Sequence, residues 1–364
     1  MTKPINDFCR SWTMRVAIGL MILVALQIAG CAGVGPPTVA RDRFDYVTAI
    51  SESWKQQTLL NLVKTRYADA PVFMDVTSVI NQYAVEGQIN MGANFDIRNT
   101  QSVGGSGKYT DRPTITYAPM MGEKFTKSLM TPIPVPGILF LLQSGYAADY
   151  VIRITVQTIN GMENRYGGSL SGRTADQKFH QLLTALRRIQ LAGGLGMRVK
   201  PMGEKKAVVM FFRPLTDEAI AGEFKKAREL LGLDENTREF QVGYGSFAAD
   251  DKEIAILSRS MLQVMIDFAS YIDVPDSDVA EGRVYASQRE SAETESEFPP
   301  LIRVRNGTAR PDDAYVSVRY RDRWFWIDDR DYPSKRMFSF LMFLFSLTET
   351  GGQQMAPIVT VPTS

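Results

Sequence analysis

The sequence predicts an α+β fold. A helix plus a long β-hairpin fills the N-terminal half, and a mixed sheet covered by amphipathic helices fills the C-terminal half. Three observations predict it. Residues 79–97 alternate at period two, with Val79, Tyr83, Val85, Ile89, Met91, Phe95 and Ile97 on one parity and Gln82, Glu86, Gln88, Asn90, Asn94 and Asp96 on the other. That is the pattern of a strand with one apolar face. Residues 174–191 instead place Phe179, Leu182, Leu183, Leu186 and Ile189 at helical spacing. Residues 334–350 carry Met337, Phe338, Phe340, Leu341, Phe343, Leu344, Phe345 and Leu347 on nearly every face. A helix of that pattern belongs at the centre of a core, and it is too short to span a bilayer.

The N-terminal elements follow in order. Residues 41–66 predict a helix, with Ile50, Trp54, Leu59, Leu60 and Val63 near helical spacing and Asp69-Ala70-Pro71 ending it. The alternating segment 79–97 exceeds the ~5–6 residues of an ordinary strand, so it is either extended or turns near Glu86-Gly87. Residues 99–107 predict a Gly/Ser/Asn loop, and Thr114-Ile115-Thr116-Tyr117 a strand returning antiparallel to the first. Short helices at 122–130 and 137–144 flank the Pro-rich 131–136, and 150–157 alternates as a strand. The Gly/Ser-rich 165–173 marks a boundary between a region at 41–165 and a domain at 170–364.

In that domain, Gly193-Gly194 stops the helix at 174–191. Strands are predicted at 197–199 and 207–212. Thr216 caps a helix with Asp217 and Glu218 in its first turn, and Gly232 ends it. A strand at 240–244 precedes a helix at 252–272, whose face is Ile254, Leu257, Met261, Val264, Met265, Phe268 and Ile272 before Pro275. The acidic, Ser-rich 276–297 predicts a mobile loop. Strands follow at 301–304, 315–320 and 324–327, the last two forming a hairpin over Arg321-Asp322-Arg323. The apolar helix at 334–350 ends at Gly351-Gly352, and 358–361 is a final strand.

Composition excludes several functions. The 364 residues carry a formal net charge of +1, which lacks the basic footprint of nucleic-acid binding. The single histidine, His180, excludes a two-His metal site and leaves one residue for any Ser-His-Asp triad. Its place in a helix, between Lys178 and Leu182, fits a packing or surface role. Gly104-Gly105-Ser106-Gly107-Lys108-Tyr109 departs from a phosphate loop. Tyr109 replaces Ser/Thr, and Ser102 stands where the first Gly belongs, so a hairpin tip is expected. Asp273, Asp276, Asp278 and Glu281 lack EF-hand spacing and read as a solvated loop. Asp328, Asp329 and Asp331 read as a charged turn and helix N-terminus before Pro333. No catalytic set, metal site or cofactor is predicted.

The densest aromatic and basic cluster lies between Arg319 and Lys335, with Tyr320, Trp324, Phe325 and Trp326 among Arg319, Arg321, Arg323 and Arg330. Strand alternation puts Trp324 and Trp326 on one face and Phe325 on the other. Trp and Arg are common interface anchors, so Arg321, Arg323, Trp324 and Trp326 are the candidate partner-binding residues.

At the N-terminus, Lys3, Arg10 and Arg15 precede the run 16–30, in which Gln27 is the one polar side chain. The run is too short to span a bilayer and has the layout of an export signal. Ile28-Ala29-Gly30-Cys31 resembles a bacterial lipobox, which implies a signal peptide at 1–30, lipidation of Cys31 and a tether at 31–40. Met14-Arg15-Val16 offers a second start. Ala32, in place of the Asp that retains lipoproteins at the inner membrane, implies an outer-membrane anchor with the chain facing the periplasm. Removing three basic residues and one acidic one leaves 334 residues of net charge −1. Cys31 is then the only cysteine, so disulfides are excluded.

Beyond the leader, the chain resembles proteobacterial lipoproteins of unknown function. The resemblance rests on Asn61-Leu62-Val63-Lys64-Thr65-Arg66-Tyr67-Ala68-Asp69-Ala70-Pro71 and on Arg323-Trp324-Phe325-Trp326-Ile327-Asp328-Asp329, and it implies no activity. The expected function is a non-enzymatic structural or assembly partner of an envelope complex, held on the membrane by its N-terminal lipid and bound to an envelope protein. The alternatives are an oligomeric export-channel component that inserts the hairpin at 79–119, as lipoproteins of the curli-export type do, and a periplasmic enzyme acting on envelope polymers through carboxylates. Each hairpin arm reaches the ~9–11 residues of a membrane strand. The sequence does not set the oligomeric state.

Overall fold

The computed structural model describes residues 36–80, 83–94, 100–111, 114–167, 173–202, 205–213, 218–286 and 298–348. The leader, Cys31, Thr216 and the expected strand at 358–361 lie outside the described residues, as does 287–297 of the expected acidic loop. The chain forms two compact units. Unit one is Met1–Trp54 with Met74–Ala118, and unit two is Lys55–Phe73 with Pro119–Ser364.

Helix α1 (Pro36–Arg66) runs through both. It starts five residues earlier than the spacing predicts, inside the expected tether; proline is tolerated in a first turn, where its missing N–H has no partner to lose. Leu59, Leu62 and Val63 are buried in unit two, whereas Ile50 and Trp54, expected on the same face, are exposed in unit one.

Over its described residues, unit one holds two two-stranded sheets. Strand β1 (Met74–Ile80) neighbours β4 (Thr114–Pro119), and β2 (Tyr83–Asn94) pairs antiparallel with β3 (Thr100–Asp111) from Tyr83↔Asp111 to Asn94↔Thr100. The expected loop at 99–107, including the Gly104–Tyr109 run, is therefore strand from Thr100 onward. The strand at 114–117 neighbours β1 and not β2. Local composition favours a loop there, but a long alternating partner templates the ladder across the glycines. Over residues 42–54, 74–80 and 114–118 of this unit no hydrophobic side chain is buried, and Phe44, Val47, Met74, Ile115 and Tyr117 are exposed.

After Lys55–Phe73, unit two continues with α2 (Gly122–Phe125), which runs into a π-helical turn at Thr126–Met130, and α3 (Val135–Gln143). Helix α4 (Ala148–Thr155) replaces the strand expected at 150–157. It buries Val151, Ile152 and Ile154, and Thr155 Oγ1 donates back to the Val151 carbonyl at 2.7 Å. Strands β5 (Val156–Ile159) and β6 (Met162–Glu163) follow, then α5 (Gln177–Leu191), with Phe179, Leu182, Leu183, Leu186 and Ile189 buried as the periodicity predicts. Next come β7 (Leu195–Met202), β8 (Lys205–Phe212), α6 (Glu218–Leu231), β9 (Glu239–Tyr244) and β10 (Glu253–Ser258).

These strands form one mixed six-stranded sheet in the order β6-β5-β10-β9-β8-β7, with β9 and β10 parallel and the other pairs antiparallel. Strand β5 precedes the boundary expected at 165–170 and β10 follows it, yet the two are hydrogen-bonded neighbours. The sheet therefore takes strands from both sides of the expected boundary.

The helix expected at 252–272 is strand β10 followed by α7 (Met261–Ala269). Ile254, Ala255 and Ile256 are all buried. A central strand covered on both faces reads as a continuous apolar run, which helical spacing also fits. Ser260 starts α7 with a capping box: its side chain accepts from the Gln263 N–H, and Gln263 Oε1 accepts from the Ser260 N–H at 2.8 Å.

The remaining elements are α8 (Asp276–Ala280), which replaces the start of the expected acidic loop, β11 (Arg305–Gly307), β12 (Ala314–Tyr320), β13 (Arg323–Asp328) and α9 (Tyr332–Thr348). The three strands form a small sheet in the order β11-β13-β12. The strand expected at 301–304 is reduced to a single bridge between Val304 and Ile272.

Two features carry the stability of unit two. The first is α9, where Phe338, Leu341 and Leu344 are fully buried but Phe343 is 42% exposed. Tyr332, Arg336, Ser339, Phe343 and Ser346 form an exposed helical stripe, so the expectation that Phe340 and Phe343 are both core residues holds for Phe340 alone. The second is Asp267, 2% exposed. Its Oδ2 accepts from Arg259 Nη1 at 3.1 Å and its Oδ1 from Arg165 Nη1 at 2.9 Å and the Gly167 N–H at 2.9 Å.

Phe338→Ala is expected to cost about 3–5 kcal/mol through lost burial and a residual cavity, while Phe343→Ala costs well under half of that. Asp267→Ala, which strands two buried guanidiniums, is expected to cost about 3–5 kcal/mol. Denaturant unfolding of the purified variants checks both; equal losses at Phe338 and Phe343 would contradict the placement of the helix.

Candidate functional site

The two segments that carry the resemblance meet within unit two. Helix α1 ends where Asn61 folds the chain back on itself: its Nδ2 donates to the Val72 carbonyl at 2.8 Å, and its Oδ1 accepts from the Val72 N–H at 2.9 Å. Ala68 takes a left-handed φ of 59° in that turn. Tyr67 is thereby held against the small sheet, its ring 5.4 Å from Tyr320 and 6.2 Å, edge-on, from Phe325. Tyr67 Oη donates to Asp278 Oδ2 at 2.6 Å, and Tyr320 Oη donates to Asp69 Oδ2.

Strands β12 and β13 join through Arg321-Asp322. Arg321 has a φ of 51°, uncommon for a residue with a Cβ. Its guanidinium lies over both tyrosines, 4.9 Å from the Tyr67 ring centre and 5.4 Å from that of Tyr320. Such cation–π contacts help offset the cost of the turn.

The outer face of the small sheet is different. Phe325 and Ile327 are buried and Trp324 and Trp326 are half-buried, as strand alternation predicts. The register sets Trp324 between Gly307 and Arg319, and Trp326 between Arg305 and Ser317. Gly307 lets the Trp326 indole lie close; a Cβ there would come within 3.2 Å of the ring. Arg310 sits 5.5 Å over Trp324, and Arg305 pairs with Asp328 at 3.1 Å. The result is a face of two indoles among guanidiniums.

The four candidate residues are therefore divided. Trp324 and Trp326 share the outer face. Arg323 lies on the opposite parity, with Nη1 donating to Asn306 Oδ1 at 3.0 Å, and Arg321 belongs to the Tyr67–Tyr320 cluster. Sequence reasoning did not single out Tyr67, Asp69 or Asn306, and it read Asp278 as part of a solvated acidic loop, whereas it accepts from Tyr67. The first two lie within the quoted 61–71 segment; nothing local pairs Asp278 with Tyr67 or Asn306 with Arg323, because those partners meet only in the fold.

The other sequence candidates have structural partners. His180 stacks on Phe298 at 4.5 Å. Asp329 pairs with Lys335 at 2.7 Å, and Asp331 accepts from the Ser334 hydroxyl at 2.9 Å and its N–H at 3.1 Å, opening α9. Glu281 pairs with Arg283. Among the described residues no group of His, Cys, Asp and Glu side chains is arranged to hold a metal ion.

Burial, then the hydrogen bond to Asp278, pushes the Tyr67 phenol well above its ordinary range; burial, then Asp69, does the same to Tyr320. Both favour the neutral phenol in the fold. Their contribution is present below the ordinary tyrosine pKa of about 10 and is lost as pH rises through the raised values. Tyr67→Phe is expected to cost about 1–2 kcal/mol at neutral pH and to flatten the loss of stability above about pH 10. Denaturant unfolding across that range checks it; an unchanged alkaline slope would remove Tyr67 from the linkage.

No known protein family, curated protein or solved structure matches this chain.

Proposed function

We propose that the chain is an outer-membrane-anchored periplasmic lipoprotein that acts as a structural or assembly partner of an envelope complex, by binding and not by catalysis. One observation carries the reading: in unit one, over residues 42–54, 74–80 and 114–118, no hydrophobic side chain is buried. Phe44, Val47, Ile50 and Trp54 form an exposed apolar stripe on α1, and every described strand of the unit is an edge strand. Isolated two-stranded sheets are marginal in water, and contiguous exposed apolar surface usually marks an interaction site. Such a unit is completed by a partner. The lipobox-like Ile28-Ala29-Gly30-Cys31 supplies the membrane anchor, and the Trp324–Trp326 face supplies a second contact candidate.

The test is a photo-crosslinker placed in living cells at Val47 and, separately, at Trp326. The reading expects one stoichiometric envelope protein from Val47 and loss of that product in Cys31→Ser, together with a lipid-modified Cys31 in the mature chain by mass spectrometry. A mature N-terminus elsewhere, or no stoichiometric product from either site, would sink it.

A second reading, an oligomeric export-channel component, is favoured by the β2–β3 ribbon. Its twelve register pairs match the ~9–11 residues of a membrane strand. Val85, Ile89 and Met91 fall on one parity with Val103 and Tyr109; Glu86, Gln88 and Asn90 fall on the other with Ser106 and Lys108. Alternation of that kind suits a barrel wall with a lipid side and a water side. Self-crosslinked ladders and ring particles in detergent are its expected outcome; a strictly monomeric protein would end it.

A further inference from the structure

A cleft of about 660 Å³ opens in unit two between α6 and the segment that joins it to β9. Its size falls in the ~300–1,000 Å³ range of small-molecule sites. The floor is apolar: Phe212 and Phe224 meet edge to face at 5.3 Å, and Leu233 is buried beside them. The walls are cationic, with Arg213, Lys225, Arg228 and Arg238 against two carboxylates, Glu229 and Glu235. Lys225 and Glu229 engage each other at 3.8 Å, leaving three guanidiniums facing one carboxylate.

The three arginines are placed by different means. Arg228 lies over the Phe212 ring at 5.7 Å, and its Nη2 donates to the Thr237 carbonyl at 3.2 Å, which fixes the guanidinium. Its Nε is buried and has no acceptor among the described residues. A buried donor without a partner is uncommon and calls for a physical explanation. Arg213 and Arg238 lie on adjacent segments, since the Phe212 N–H donates to the Arg238 carbonyl at 3.2 Å. Both side chains are exposed, and among the described residues neither forms an ion pair.

We propose that this cleft binds a small molecule that presents a phosphate or carboxylate to Arg213, Arg228 and Arg238 and lays a flat apolar part on Phe212 and Phe224. Guanidinium forks suit oxyanions because their donors pair with two oxygens at once. The aromatic floor and the cleft volume, well beyond the needs of one phosphate, assign the rest of the ligand to an apolar group. The site is independent of the envelope-partner reading and lies in the unit that has its own core.

The test uses the full-length protein in detergent, with phenyl phosphate, benzoate and inorganic phosphate as probes at matched ionic strength. Calorimetric titration and thermal unfolding are the readouts. Saturable binding is expected, tighter for phenyl phosphate or benzoate than for inorganic phosphate. The double variant Arg213→Gln/Arg238→Gln, at exposed positions, should unfold at the wild-type temperature without ligand and bind about tenfold or more weakly. Arg330→Gln, remote from the cleft in sequence and paired with Asp313, should bind as wild type. Binding that is unchanged in the double variant, equally weakened in Arg330→Gln, or absent for both aromatic probes would overturn the proposal. The aromatic probe that saturates decides between phosphate and carboxylate.

Discussion

One buried carboxylate organises unit two. Asp267, on α7, accepts from Arg259 and Arg165, and those guanidiniums reach the carbonyls around them. Arg259 donates to Arg153 O at 3.2 Å and to Arg165 O, and its backbone N–H donates to Thr155 O at 2.7 Å. Arg165 donates to Ser270 Oγ at 3.1 Å and lies 4.2 Å over the Tyr271 ring. The network therefore joins the end of α4, the segment after β6, the β10–α7 junction and the turn after α7. Replacing such a cluster with apolar groups can be neutral, so its worth lies in geometry more than in net energy. Partners this particular allow one arrangement of α7 against the sheet, which a purely apolar contact would not enforce.

The two units differ in what holds them. Unit two has a continuous apolar core that runs from Leu59 through the sheet to α9. Unit one, over its described residues, has edge strands and an exposed helical stripe. Hydrophobic burial is the dominant favourable term in folding, and a segment that does not obtain it internally obtains it from a neighbour. Unit two thus has an apolar core of its own, whereas residues 42–54, 74–80 and 114–118 of unit one bury no hydrophobic side chain.

Within that scaffold, the junction of Tyr67, Tyr320, Phe325 and Arg321 explains why two short segments separated by more than half the chain share one environment. The 61–71 segment supplies a phenol, a carboxylate and the Asn61 clasp; the 323–329 strand supplies a buried ring and an outer face. Fixing the inner side of the strand also fixes its outer side, because successive side chains point to opposite faces. Trp324 and Trp326 are thus presented by packing that occurs behind them.

The sequence alone determined the α+β class, the helix at 177–191, the β12–β13 hairpin and the strand alternation that turns Trp324 and Trp326 outward. Each follows from local period or turn length, which depends on neighbours a few residues away. The strand state of 253–258, the strand state of β3, the helical state of 148–155 and the exposure of Phe343 were decided by tertiary structure. In each case one residue pattern fits two local states, and burial on a second face or a paired strand chooses between them. The Asp267 network and the Tyr67 junction belong to the same class. Their partners stand about 100 and 250 residues apart, as Arg165–Asp267 and Asp69–Tyr320 do, and no local pattern brings such groups together before the core closes around them.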